Sequence, residues 1–236
     1  MKFKIFFSII IPTFNPGKNL KDCLNSIKKL KDKTNFEVII VDDKSTDNTL
    51  KVINKFRNDF CNFKLIKNKK NLGPGASRNL AINIAEGKYL VYLDSDDYFF
   101  PNILEKLEKL IIEKKFPDIA LCNVQRSETK DNTPILKYFR KVLYRRSEFL
   151  KIAESKKIIF NECWNFVFKN DKSKKIRFLN TRLAEDNWYV TKNLLQCSKI
   201  LILKNLKIIY HSSTIKSQKH LIGFEALKSY AALSKG

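Results

Sequence analysis

KYLVYLDSDD, residues 88–97, is the stretch on which the fold turns. An apolar run through Tyr89–Leu93 lacks helical spacing and stops on Asp94, Asp96 and Asp97. A short unbroken apolar run that ends at a turn reads as a strand buried on both faces. Three carboxylates in four positions repel one another and raise each other's proton affinity. A divalent cation with a diphosphate would make that crowding tolerable. Carboxylate oxygens are hard ligands, suited to Mg2+ or Mn2+. The bland alternative is a helix-capping turn before Pro101, with the acids solvated.

Working outward, the same kind of run recurs at 5–11, 36–42, 62–68, 118–124 and 200–210. Between the runs lie amphipathic helical patterns at 18–30, 46–60, 75–87 and 101–115, and another at 183–199. In the first of these Leu20, Cys23, Leu24, Ile27 and Leu30 share one face. Gly87 is suited to a C-terminal cap, and Pro101 to a first helical turn. Strand and helix in alternation predict an α/β fold with a mainly parallel central sheet and helices on both faces. In such a sheet ligands bind beyond the carboxyl ends of the strands. The ends of three predicted strands carry PTFN (12–15), DDKSTD (42–47) and DSDD (94–97), all on one edge.

From about residue 125 the pattern is less regular and richer in charge and aromatics, as in KYFRKVLYRR (137–146) and NECWNFVFKND (161–171). No Pro/Gly/Ser-rich linker and no internal repeat divides the 236 residues. One domain is expected, 1–124 and 125–236 being its two halves, the second packed over the first and ending in a helical tail. Trp164, Trp188 and Tyr189 could stack on a flat ligand ring, although core packing is the favoured reading.

Two further stretches carry chemistry only weakly. NLGPGASRN (71–79) is Gly-rich and enters a helix, but it is neither a Walker A loop nor a GxGxxG fingerprint. Its backbone donors and Arg78 could still face an anionic ligand. AEDNWY (184–189) sets Glu185 and Asp186 before an amphipathic helix, and His211 follows a strand. Alone, neither would be singled out.

Taken together, SIIIPTFN (8–15), VIIVDDKSTDNT (38–49), NLGPGASRN, AEGKYLVYLDSDD (85–97) and AEDNWY resemble glycosyltransferase family 2, in order and in spacing. The resemblance implies the GT-A nucleotide-diphospho-sugar transferase fold and inverting, metal-dependent transfer. The donor would be a nucleotide sugar, with UDP weighted first, and the acceptor a hydroxyl of a glycan or lipid-linked glycan in cell-surface polysaccharide or lipo-oligosaccharide synthesis. It implies that Pro12, Thr13 and Asn15 line the nucleotide pocket. Asp43, with Asp42 beside it, would accept a hydrogen bond from the uracil ring, and Arg78 would approach the nucleotide. Asp94, Ser95 and Glu185 would contact the donor. Asp96 and His211 would hold Mn2+ or Mg2+, and Asp186 would be the catalytic base. Lys44 stands where the family usually has Gly, and Ser77 where Ala is common.

Net charge is +22, from 46 basic against 24 acidic residues. Nucleic acid or an anionic membrane surface are natural partners for such a chain. A nucleic-acid-binding protein would leave the acids at 94–97 unexplained, so no nucleic acid is expected. A nucleotidyltransferase would open with a Gly-rich, basic phosphate loop that PTFNPGKN lacks. A degenerate member that binds but does not transfer is disfavoured by the intact acids at 94, 96 and 186. The basic-aromatic stretch 137–146 could meet a lipid-linked phosphate or the inner membrane surface. Five scattered cysteines without a C-x-x-C pair point to a reducing compartment. No apolar run reaches the ~18 residues of a spanning helix. A cytoplasmic protein is expected, with peripheral contact at the membrane's inner face.

Overall fold

The computed structural model describes residues 4–30, 35–126, 134–160, 162–173, 175–181 and 185–211. The strands are β1 (Phe7–Thr13), β2 (Phe36–Asp42), β3 (Phe63–Lys67), β4 (Tyr89–Tyr92), β5 (Tyr98–Phe99), β6 (Ile119–Arg126), β7 (Leu143–Arg145), β8 (Phe166–Lys169) and β9 (Lys199–His211). They join one sheet in the order β3-β2-β1-β4-β8-β6-β9-β5, with β7 also paired to β9. β1 to β4 are mutually parallel, and so are β6 and β9. The antiparallel pairings are those of β8 with β4 and β6, and of β5 and β7 with β9. The chain reverses its strand order between β1 and β4, and the carboxyl edge there is the expected crevice.

The helices are α1 (Asn19–Lys28), α2 (Thr49–Phe56), α3 (Pro74–Ile84), α4 (Ile103–Glu113), α5 (Arg146–Ser155), α6 (Asn170–Ser173) and α7 (Glu185–Gln196). Strand alternation explains why both sheet faces are covered. Ile9, Val38 and Val91 pack with the apolar stripes of α1, α2 and α4. Ile10, Ile39 and Tyr92 face the other way, onto α3, α5 and α7. Each of these side chains is fully buried, and such burial contributes roughly 1.5–3 kcal/mol apiece.

Three local readings differ from the sequence expectation. α3 stops at Ile84, so Gly87 is not its cap. A Cβ on Gly87 would lie 2.5 Å from the Ser8 backbone nitrogen, so glycine there lets the connection into β4 cross β1 closely. α4 starts at Ile103, because Asn102 turns left-handed at φ 58° just before it and leaves Pro101 outside the helix. β7 occupies the end of the basic stretch 137–146, and α5 starts at its last residue, with only Phe149 and Ala153 buried to mark its apolar face. The predicted helical tail after residue 211 lies outside the described residues. No helix among the described residues is long and apolar enough to cross a membrane.

Candidate active site

The three strand ends do converge. β1 sits between β2 and β4, so PTFN, DDKSTD and DSDD lie side by side at one edge. Pro12 is buried opposite Val41. The buried Thr13 hydroxyl has no protein partner. Asn15 braces two loops: its side-chain oxygen accepts from the Thr46 and Asp47 amides at 2.8 and 3.3 Å. Its own amide donates to Ser45 Oγ at 3.0 Å. Asp47 accepts from Thr49, whose hydrogen bonds outweigh partial desolvation and hold the carboxyl below its usual range.

Asp42 accepts a 3.3 Å bond from the Ser45 amide. Asp43 is almost saturated from within. Asn68 and the Leu72 amide donate to Oδ1, each at 2.8 Å, and the Gly73 amide donates to Oδ2 at 2.7 Å. A carboxylate offers about four lone-pair sites. The loop therefore leaves Asp43 roughly one for a ligand, and fixes the direction in which it points. Lys44 adopts φ 65°, the left-handed conformation a glycine would take at no steric cost. The Lys-for-Gly difference thus preserves the turn at some local strain.

DSDD is a turn, closed by the Asp97 amide donating to the Asp94 carbonyl at 3.0 Å. Asp94, Ser95 and Asp96 are half-buried, and Asp97 is buried. Beneath them, burial first and then Asp97, Asp96 and Asp94 push the Cys23 thiol up, so it stays protonated. Among the described residues no three His, Cys, Asp or Glu side chains converge into a metal cage. His211 ends β9 opposite Arg126, and its side chain lies outside the described part.

One side chain joins this edge to the late acidic pair. Arg78, one turn into α3, is buried and ion-paired to Asp94 Oδ1 at 2.8 Å and to Asp186 Oδ1 at 2.8 Å. Glu185 lies 3.6 Å from the same guanidinium. Burial opposes the Arg78 charge, but Asp186 and the other acids override it and keep it protonated. Asp186 sits in the first turn of α7, where the helix dipole favours a carboxylate. Burial nevertheless pushes its carboxyl up to about 7, against the pull of Arg78 and with the help of Glu185 and Asp94. The Cys163 amide approaches its second oxygen at 3.4 Å.

Trp164 and Tyr189 are core residues, and neither offers a face to a sugar. Trp188 is half-buried, with Lys192 Nζ 4.5 Å from its ring centroid. Sequence reasoning missed Asn68 and the 72–73 amides as partners of Asp43, and missed Cys163 beside Asp186. No local pattern marks any of them; only the folded register does.

A family model described as glycosyl transferase family 2 matches residues 8–177. The poly(ribitol-phosphate) β-N-acetylglucosaminyltransferase TarS of Staphylococcus aureus is 40% identical over 121 residues, 50% of this chain but 21% of TarS. The chain thus spans about a fifth of that relative's length. The crystal structure of S. aureus TarS 1–349 in complex with UDP-GlcNAc superposes with TM-score 0.77 at 29% identity, covering 90% of this chain and 60% of that one. The mannosyltransferase PcManGT from Pyrobaculum calidifontis, solved with GDP-Man and Mn2+, has TM-score 0.65 at 19% identity. It covers 92% of this chain and 59% of its own, and at that identity it shares the fold alone.

Proposed function

The chain belongs to glycosyl transferase family 2, and from that premise we propose that it transfers a sugar from UDP to a hydroxyl of a phosphate-bearing cell-surface polymer or its lipid-linked precursor, with inversion. One observation carries the reading. The half-buried Asp186 carboxyl is 2.8 Å from Arg78, which also grips the first acid of DSDD, and partial burial there pushes it up to about 7. A general base works best with a pKa near the operating pH. Arg78 thus links a nucleotide-binding edge to a group poised to take a proton.

In this reading the braced loops at 12–15 and 42–47 hold the nucleotide, with Asp43 offering its remaining lone pair to the base. Asp94, Ser95 and Glu185 face the donor's ribose and sugar. The half-buried, hard-oxygen Asp96 fits Mn2+ or Mg2+, which need only one or two protein carboxylates when a diphosphate completes the shell. His211 is the second proposed ligand. The metal, when bound, would take up charge on the departing diphosphate. Asp186 accepts the proton of the incoming hydroxyl. The hydroxyl oxygen forms the new bond to the anomeric carbon as the bond to the diphosphate breaks. Attack from the face opposite the leaving group inverts the anomeric centre. Residues 1–124 serve the donor and the later residues the acceptor.

Charge supports this acceptor class, as does the likeness to TarS. Residues 134–157 carry eight basic and two acidic side chains, and Tyr138 and Val142 are exposed among them. Lys137 and Lys156 both lie over the Tyr138 ring, at 5.2 and 5.8 Å.

The test is calorimetric titration of UDP, with and without Mn2+, into wild type and Asp96→Asn. Metal-dependent binding that the variant loses is the expected result. UDP binding that ignores both the metal and the variant would remove Asp96 from the donor site. No UDP binding to wild type would reject UDP as the donor nucleotide.

A further inference from the structure

One face of α3 is given over to a segment that sequence reading left unassigned. Gly75, Asn79 and Asn83 are spaced four apart and form a stripe along the helix. Against that stripe run residues 179, 178 and 177, in that order. A Cβ at Gly75 would lie 2.8 Å from the Leu179 carbonyl oxygen and 3.0 Å from Glu185 Cγ, so only glycine seats the chain this closely. Asn79 Nδ2 donates to the Phe178 carbonyl at 2.9 Å, and the Phe178 amide donates back to Asn79 Oδ1 at 2.9 Å. Asn83 Oδ1 accepts from Arg177 Nη2 at 2.8 Å. The Phe178 ring lies 5.4 Å from the Arg78 guanidinium and stacks on Tyr189 of α7, with centroids 3.9 Å apart and planes 8° from parallel. The start of α3 is itself held by Asp43 through the Leu72 and Gly73 amides.

We propose that Asn79 is a positioning residue: its amide clamps the backbone of residue 178 as a neighbouring strand would, and so fixes where Asp186 stands relative to the donor edge. This rests on reading Asp186 as the base. Through Asn79, the loop that holds Asp43 and the helix that carries Asp186 behave as one rigid body. A reacting group displaced by about 1 Å can cost on the order of a hundredfold in rate.

The experiment compares wild type, Asn79→Ala and Asn83→Ala, all checked to be folded at the assay temperature by thermal unfolding. In Asn79→Ala, kcat should fall about tenfold or more while UDP affinity stays within about twofold. Asn83→Ala, which removes an exposed tether at the stripe's far end, should cost much less. The Asp186 carboxyl, followed by NMR, should titrate lower in Asn79→Ala. Water would reach the carboxyl and relieve the burial that is the largest cause of its raised pKa; its neighbours act both ways, Glu185 on its own helix and Asp94 from the β4 turn raising it, Arg78 from α3 and the Cys163 amide before β8 lowering it. Unchanged kcat, a kcat loss matched by an equal loss of UDP affinity, or an unshifted Asp186 titration would each overturn the proposal. If wild type neither binds UDP nor transfers, the donor reading fails by itself, and the NMR titration still decides the role of Asn79.

Discussion

At the scale of single residues, the site is governed by Arg78 and Asp186. One buried guanidinium bridges two half-buried carboxylates, and the proton affinity of Asp186 is set by its burial and by these neighbours. The base must be ionised to take a proton. Transfer, measured as kcat/KM against pH, should therefore climb through a limb near 7 and level off above it. Asp186→Ala should abolish that transfer while leaving UDP binding nearly intact; undiminished turnover would remove Asp186 as the base. Stability runs the opposite way. The folded carboxyl has the higher pKa, so the fold binds the proton more tightly than the unfolded chain. That contribution is complete below the ordinary carboxyl pKa and is lost as pH rises through about 7. A site poised for catalysis is thereby a strained one, a common trade between activity and stability.

At the scale of elements, close approach matters more than helix propensity. α3 touches the segment before α7 at Gly75, where neither φ nor turn geometry requires glycine. Gly75→Ala should push Leu179 and Glu185 away from α3 by a few tenths of an ångström or more. The expected outcome is a folded protein that binds UDP and turns over far more slowly; wild-type kcat would show that the contact is compliant. Elsewhere the sheet is pinned at its opposite edge. The buried Glu37 accepts from Ser8 Oγ at 2.6 Å and pairs with Lys64 at 2.8 Å. The Glu86 and Gly87 amides close on the same carboxylate. This network lies far along the strands from DSDD and fixes register, because a buried acid tolerates only the alignment that satisfies it.

At the scale of the molecule, the unequal spread of charge is the feature that bears on the acceptor. The face built from residues 134–157 is strongly basic, whereas the donor edge gathers acids. Neutralising Lys137, Arg140, Lys156 and Lys157 together should weaken a phosphate-polymer acceptor by on the order of tenfold at low salt, flatten its salt dependence and leave the donor KM unchanged. An unaltered acceptor KM with lost binding to anionic vesicles would instead assign the face to a membrane surface.

The amino-acid sequence alone specified the layered α/β architecture and the sheet edge at which the candidate site gathers. Unbroken β-branched runs can be satisfied only inside a covered sheet, and the polar ends of three of them, two of which carry acids, must then share one edge. The convergence of the candidate residues at 12–15, 42–43 and 94–96 was legible for that reason. The second half took its form only on folding. The union of Arg78 with Asp186 spans 108 positions, and the Asn79 clamp on Phe178 spans 99. The antiparallel insertion of β8 between β4 and β6 belongs to the same class. No period or turn chemistry encodes such contacts. They exist because burial beside a particular neighbour makes an otherwise costly charge or backbone group favourable, and that neighbour is chosen by the fold.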